Sequence, residues 1–129
     1  MLQRLILVLA LVGCAVEADS ATDTGIRLDL SERLGDDEVR AGQVSQGAEL
    51  FGGISAEGAP GDFKLYNDRV RFIIEAVGDS NYYMDYGGTL IDADLVRPEG
   101  EPGRDLLDEL APMVSLARIV DATSVTVIE

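Results

Sequence analysis

The run at residues 63–75, FKLYNDRVRFIIE, constrains this chain more than any other, because its pattern fits a β-hairpin and little else. Two alternating stretches flank Asn67-Asp68, residue types that accept the positive φ of a tight turn. A two-residue loop sets Tyr66 opposite Arg69, Leu65 opposite Val70, Lys64 opposite Arg71 and Phe63 opposite Phe72. Phe63, Leu65, Val70 and Phe72 then share one face, Ile74 extends it, and a slip of one residue would scatter them. Lys64 opposite Arg71 is a mildly unfavourable like-charge pair.

The rest of the chain reads in the same idiom. Ile26, Leu28 and Leu30 alternate with Arg27 and Asp29, which predicts a short strand over 26–30 that ends at Leu34-Gly35-Asp36-Asp37. Residues 42–61 are glycine-rich and turn-forming, with a short segment around Leu50 and Phe51. They contain neither GxGxxG nor a Walker pattern, so they are no phosphate cradle. Gly87 and Gly88 open another strand, in which Ile91, Ala93 and Leu95 alternate with Asp92 and Asp94. After a Pro/Gly loop, residues 104–111 predict a short helix with Leu106, Leu107 and Leu110 on one face and Pro112 as its stop. Residues 114–120 and 125–128 are two further strand candidates. The expected fold is mainly β, an antiparallel sheet or sandwich with one short helix, occupying residues 26–129. The last strand runs to the C-terminus with no closing turn. It is expected either to dock into the sheet or to belong to an incomplete domain, the front of a longer protein.

Charge and composition narrow the function. A chain of 129 residues holds one domain. Its 24 acidic residues against 10 basic ones give a net charge of −14, which repels nucleic-acid backbones and favours cations, basic proteins or neutral ligands such as sugars. The same charge also serves simply to keep an exported protein soluble. There is no histidine, which removes Ser-His-Asp and Cys-His nucleophiles, histidine zinc sites and imidazole acid–base chemistry. The single cysteine provides no intramolecular disulfide.

The N-terminus, MLQRLILVLALVGC, has a positive n-region at Arg4, an apolar h-region over 5–12 and the small residue Gly13 at the expected cleavage point. A bilayer span needs about 20 apolar residues, and this run breaks at Glu17. Leu11-Val12-Gly13-Cys14 closely resembles the lipobox of bacterial lipoproteins. The resemblance implies a lipoprotein signal peptide over 1–13, diacylglycerol on the Cys14 thiol and cleavage just before it. Ala15 and Val16, in place of the aspartate that retains enteric members at the inner membrane, point to the outer membrane. Residues 14–25 then form a lipidated, small and acidic tether. Two or three acyl chains, at about 0.8 kcal/mol per buried methylene, anchor such a domain stably.

A weaker resemblance covers residues 61–97. Gly61-Asp62, the Asn67-Asp68 turn, the 70–74 strand and Gly87-Gly88 with Asp92 are similar to the leading β-sandwich domain of large secreted bacterial lipoproteins. Some of those continue into a metal-dependent hydrolase domain built on clustered histidines, which this chain lacks. The resemblance therefore implies at most a non-catalytic leading module.

One stretch carries candidate ligand chemistry. Asp79, Asn81 and Asp85, with Asp92 and Asp94, offer the hard oxygen donors that Ca²⁺ takes, although their spacing matches no known loop. Tyr82, Tyr83 and Tyr86 in the same stretch offer ring faces of the kind that stack on sugars. Packing and a solvated acidic surface account for these residues equally well. The sequence thus predicts a non-enzymatic, lipid-anchored cell-envelope module outside the cytoplasm, on the cell or outer membrane. It needs no cofactor or resident metal and meets an envelope protein or a polysaccharide. The alternative is a carbohydrate- or calcium-binding surface module using Asp79 to Tyr86.

Overall fold

A computed structural model describes residues 28–115 and 118–128. The signal peptide, Cys14, the tether, Ile26 and Arg27 of the first expected strand, Leu116, Ala117 and Glu129 lie outside the described residues. Among those described, no helix is long and apolar enough to cross a membrane.

The architecture is mainly β and antiparallel. Strands β1 (Val39–Gln43), β2 (Phe63–Asn67), β3 (Val70–Ile74) and β4 (Leu90–Leu95) form a four-stranded sheet in that order. Strands β5 (Met113–Val114) and β6 (Arg118–Ile119) form a separate two-stranded one. The hairpin forms where expected, but with its register shifted so that Asp68-Arg69 connects the strands: Tyr66 pairs with Arg71, Leu65 with Phe72, Lys64 with Ile73 and Phe63 with Ile74. The Asn67 side chain sets this turn, its Oδ1 accepting from the N–H of both Arg69 and Val70 at 2.8 Å. Local capping of this kind places Asn at the start of the turn and not within it. The slip is two residues, so each side chain keeps its face.

What the alternation misjudges is which face is the core. Phe63, Leu65, Val70, Phe72 and Ile74 do share a face, and none of them is fully buried. The opposite face carries Lys64, Tyr66, Ile73, Asp92 and Asp94, all buried, and its core is completed by Leu30, Leu34, Val44, Phe51 and Ile91. A bulge between Ile73 and Ile74 sets two β4 residues against one, so that Ile91 and Asp92 are both fully buried.

Four expected elements are absent or altered. Residues 28–30 form no strand: Asp29 Oδ1 accepts from the N–H and hydroxyl of Ser31, turning the chain so that Leu30 drops into the core. Strand β1 lies where a break and turns were expected. Residues 104–111 are not a helix, and the only helical element among the described residues is a 3₁₀ turn, Gly47–Glu49. Their backbone is committed elsewhere: Asp105 bridges Gly53, and Leu90 and Leu110 exchange both N–H···O bonds. A Cβ at Gly53 would collide with the Asp105 backbone and one at Gly103 with the Gly52 carbonyl, so glycine is what lets these segments meet. Leu106 and Leu110 consequently point to solvent. The 114–120 candidate is two short antiparallel strands and not one, with Ser115 at φ 60 turning the chain after β5. Residues 125–128 pair in no ladder but border an apolar cavity of about 310 Å³ with Ala41, Phe63, Leu65 and Ile74.

Candidate functional site

The segment between β3 and β4 doubles back on itself. Gly87 N–H donates to the Gly78 carbonyl at 2.9 Å, Asp79 bridges Tyr86, and Ser80 N–H donates to the Asp85 carbonyl at 3.1 Å. Asn81, Tyr82 and Tyr83 are thereby carried to the tip. Tyr82 is half-buried against the core, its hydroxyl donating to the Glu57 carbonyl at 2.7 Å, whereas Tyr83 is 85% exposed. Glu109 clamps the tip, accepting from Met84 N–H at 2.8 Å and the Thr89 hydroxyl at 2.6 Å.

Between this tip and the neighbouring segments lies an open cavity of about 540 Å³, lined by Glu57, Asn81, Tyr82, Tyr83, Asp108 and Glu109. The fold brings Asn81, Tyr82 and Tyr83 together there. Asp79, Asp85 and Tyr86 stay at the base of the loop, and Asp92 and Asp94 are buried under the sheet. Glu57, Asp108 and Glu109 were not legible as site residues. The first stands in a glycine-rich stretch, the other two in a segment that reads as helix, and in so acidic a chain no local signal marks them. Among the described residues, no group of three or more His, Cys, Asp or Glu is placed to hold a metal ion.

Electrostatics give the cavity its character. Burial pushes the Glu57 carboxyl up from its ordinary value, and the negative charges of Asp92, Asp108, Glu109 and Asp105 push it further. Burial raises the Tyr82 hydroxyl too, again reinforced by Glu57 and other acids. A site of this kind gains by taking a neutral polyol or a cationic group and loses by taking an anion.

Behind the cavity sit two carboxyls that are fully buried, Asp92 and Asp105. Asp92 accepts from Glu57 N–H at 2.8 Å and Gly58 N–H at 2.9 Å, and Asp105 Oδ1 accepts from Ala93 N–H and Leu107 N–H at 3.0 Å. These bonds stitch the 57–58 and 105–107 segments to β4, holding the cavity walls in place. Burial raises the Asp92 pKa, the Glu57 and Gly58 N–H groups oppose that, and neighbouring Asp105 adds to the rise. Asp105 Oδ2 is buried with no hydrogen-bond partner, so a proton on Asp92 has an acceptor available beside it. No protein-family model, curated protein or solved structure matches this chain.

Proposed function

We propose that this protein is a lipid-anchored cell-envelope module that binds polysaccharide through the cleft at the Asn81–Tyr83 tip. The observation that carries the ligand reading is the cavity of about 540 Å³, in which an exposed tyrosine ring stands beside an amide and three carboxylates. An apolar ring face for stacking, with polar groups around it for hydroxyls, is the chemistry a sugar requires. The crowded acids favour neutral or amine-bearing sugars over uronic acids. Anchoring rests on the lipobox at residues 11–14 and the short apolar segment before it. The role is binding and not catalysis: the chain has no histidine, and the closely placed carboxyls Asp92 and Asp105 are sealed from solvent.

Retention of the protein on insoluble envelope polysaccharide tests the reading. Tyr83→Ala, at a position too exposed to disturb folding, is expected to lower retention about tenfold, the loss of one good stacking contact. Unchanged retention would remove the cleft from consideration. Mass spectrometry of the mature protein tests the anchor, which requires a lipid-modified Cys14 at its N-terminus.

A second reading concerns architecture, and the outer face of the sheet favours it. Val39, Ala41, Phe63, Leu65, Val70, Phe72, Ile74, Ala93 and Leu95 fall on that face by register, with the polar Gln43 and Asn67 at its ends and no charged residue among them. An apolar, uncharged sheet face is half of a β-sandwich core. On this reading the domain is the leading part of a larger protein that supplies the second layer.

A further inference from the structure

Four of the chain's 10 Lys and Arg residues, Arg33, Lys64, Arg71 and Arg97, line one small cavity of about 110 Å³ beneath the turn at Asn67. The concentration is unexpected in a chain with 24 acids. From the convergence of these donors, we propose that this cavity is an oxyanion-binding site, taking a single carboxylate or phosphate group. It shares no lining residue with the tyrosine cleft and does not depend on the reading of that cleft.

The donors are only partly committed to partners within the protein. Arg71 Nη2 donates to Asp94 Oδ2 at 2.9 Å, and Arg97 grips the same carboxylate at 2.6 Å. Asp94 is thus an internal example of the carboxylate recognition that paired guanidinium groups perform. Arg71 Nε, however, is buried and finds no acceptor among the described residues, a loss that one further oxygen would make good. Arg33 Nη1 donates to the Arg97 carbonyl at 2.8 Å, and the rest of its planar fork makes no hydrogen bond among the described residues. Lys64 Nζ donates to the Leu30 and Glu49 carbonyls at 2.6 Å, both neutral acceptors that bring no counter-charge. Burial, and after it the positive charge of Arg71, lower its pKa to about 8 against the opposing pull of Glu49 and Asp29.

The acids around the cavity do not cancel this field. Glu32 lines the cavity but pairs with Arg40 at 2.8 Å, and Glu49 is held by the Ser45 and Gln46 N–H groups. A volume of about 110 Å³ is that of three or four liquid waters, enough for one carboxylate or phosphate and not for a nucleotide. Asn67 adds an amide NH₂ group to the lining, while the Tyr66 hydroxyl is committed to the Glu32 carbonyl at 3.0 Å.

Thermal melting of the full-length protein at constant ionic strength, with inorganic phosphate or acetate exchanged for chloride, tests the site. One of the two anions is expected to raise the melting midpoint by about 5 °C once it exceeds its Kd roughly tenfold, saturating in the millimolar range. Which anion does so identifies the group as phosphate or carboxylate. The rise should vanish in Arg33→Gln, whose side chain is exposed, and persist in Arg118→Gln on β6. Should Arg33→Gln itself melt early, isothermal titration of Arg33→Lys is expected to show phosphate or acetate affinity reduced about tenfold, charge kept and fork lost. A rise that fails to saturate, that both arginine variants share, or that never appears would overturn the proposal. General exclusion of phosphate from protein surfaces is indifferent to Arg33 and cannot imitate the expected result.

Discussion

The two faces of the four-stranded sheet obey opposite rules. One buries Lys64, Asp92 and Asp94 together with Tyr66 and Ile73, while the other leaves Val39 72% exposed and Leu95 58% exposed. The polar face is nonetheless the ordered one, because its charges have fixed partners. Lys64 meets two backbone carbonyls, Asp92 two backbone N–H groups, and Asp94 two guanidinium groups and the Arg104 N–H. Burial alone would raise the Asp94 pKa, yet the bonds from Arg97, the Arg104 N–H and Arg71 hold it well below the usual carboxylate range. Hydrogen bonds to most of its buried charges let this side of the sheet close over the apolar residues Leu30, Leu34, Val44, Phe51 and Ile91. The apolar side has hydrophobic drive and, among the described residues, only the 125–128 segment at its margin to pack against.

The comparison is broken most severely by removing Asp94. Asp94→Ala would strand Arg71 and Arg97, each with its side chain 19% exposed, without their shared counter-charge. Removing one partner of a buried charged set costs about 3–5 kcal/mol, and the lower figure applies here because both guanidinium groups retain some contact with water. Urea denaturation is expected to show a loss of about 3 kcal/mol. Wild-type stability would mean that the polar face is held by packing alone.

How much of this could be read from sequence differs between the faces in the same way. The hairpin at 63–74 and strand β4 after Gly87-Gly88 were legible because alternation is a local property. The identity of the core was not. Alternation nominates Phe63, Leu65 and Phe72, while the buried set depends on acceptors and donors from Leu30, Glu49, Glu57 and Gly58, distant in sequence from Lys64 and Asp92. Strand β1 was hidden for a related reason. Its VRAGQ carries a glycine in mid-strand, which weakens the strand signal, yet Leu30 packs where a Gly42 Cβ would stand, 3.1 Å from it. The 104–111 segment has helix-like periodicity that its backbone bonds to Gly52, Ser55 and Leu90 override. At the cleft, the tip residues Asn81, Tyr82 and Tyr83 were legible from their chemistry, and Glu57, Asp108 and Glu109 only from the fold.

A gentler probe of the polar face is pH. Burial and Arg71 bring the Lys64 pKa down to about 8 from an ordinary 10.5. The folded state therefore sheds this proton before the unfolded state does. Between about pH 8 and 10 the unfolded chain holds more protons, so stability rises with pH there, by at most about 1.4 kcal/mol per unit. Below pH 8 the cost of the buried ammonium is constant. Chemical denaturation in a chloride buffer is expected to show the rise, and Lys64→Met to abolish it. A flat wild-type profile would mean that Lys64 is hydrated after all.

The smallest effect belongs to the apolar face, and it is the most discriminating. Leu95 sits at the edge of the sheet opposite Val70, more than half exposed, so Leu95→Ala removes atoms that are already largely in water. The expected change in the protein of these 129 residues is within about 0.5 kcal/mol by denaturant titration. Truncating a leucine that is properly enclosed costs about 2–5 kcal/mol, so the two situations are well separated. A measured loss above about 1.5 kcal/mol would mean that something covers this face even in the protein alone, and the contrast between the faces would disappear. A negligible loss here, together with a large one when the same substitution is made in a longer protein carrying further β-strands, would place a second sheet layer on this face.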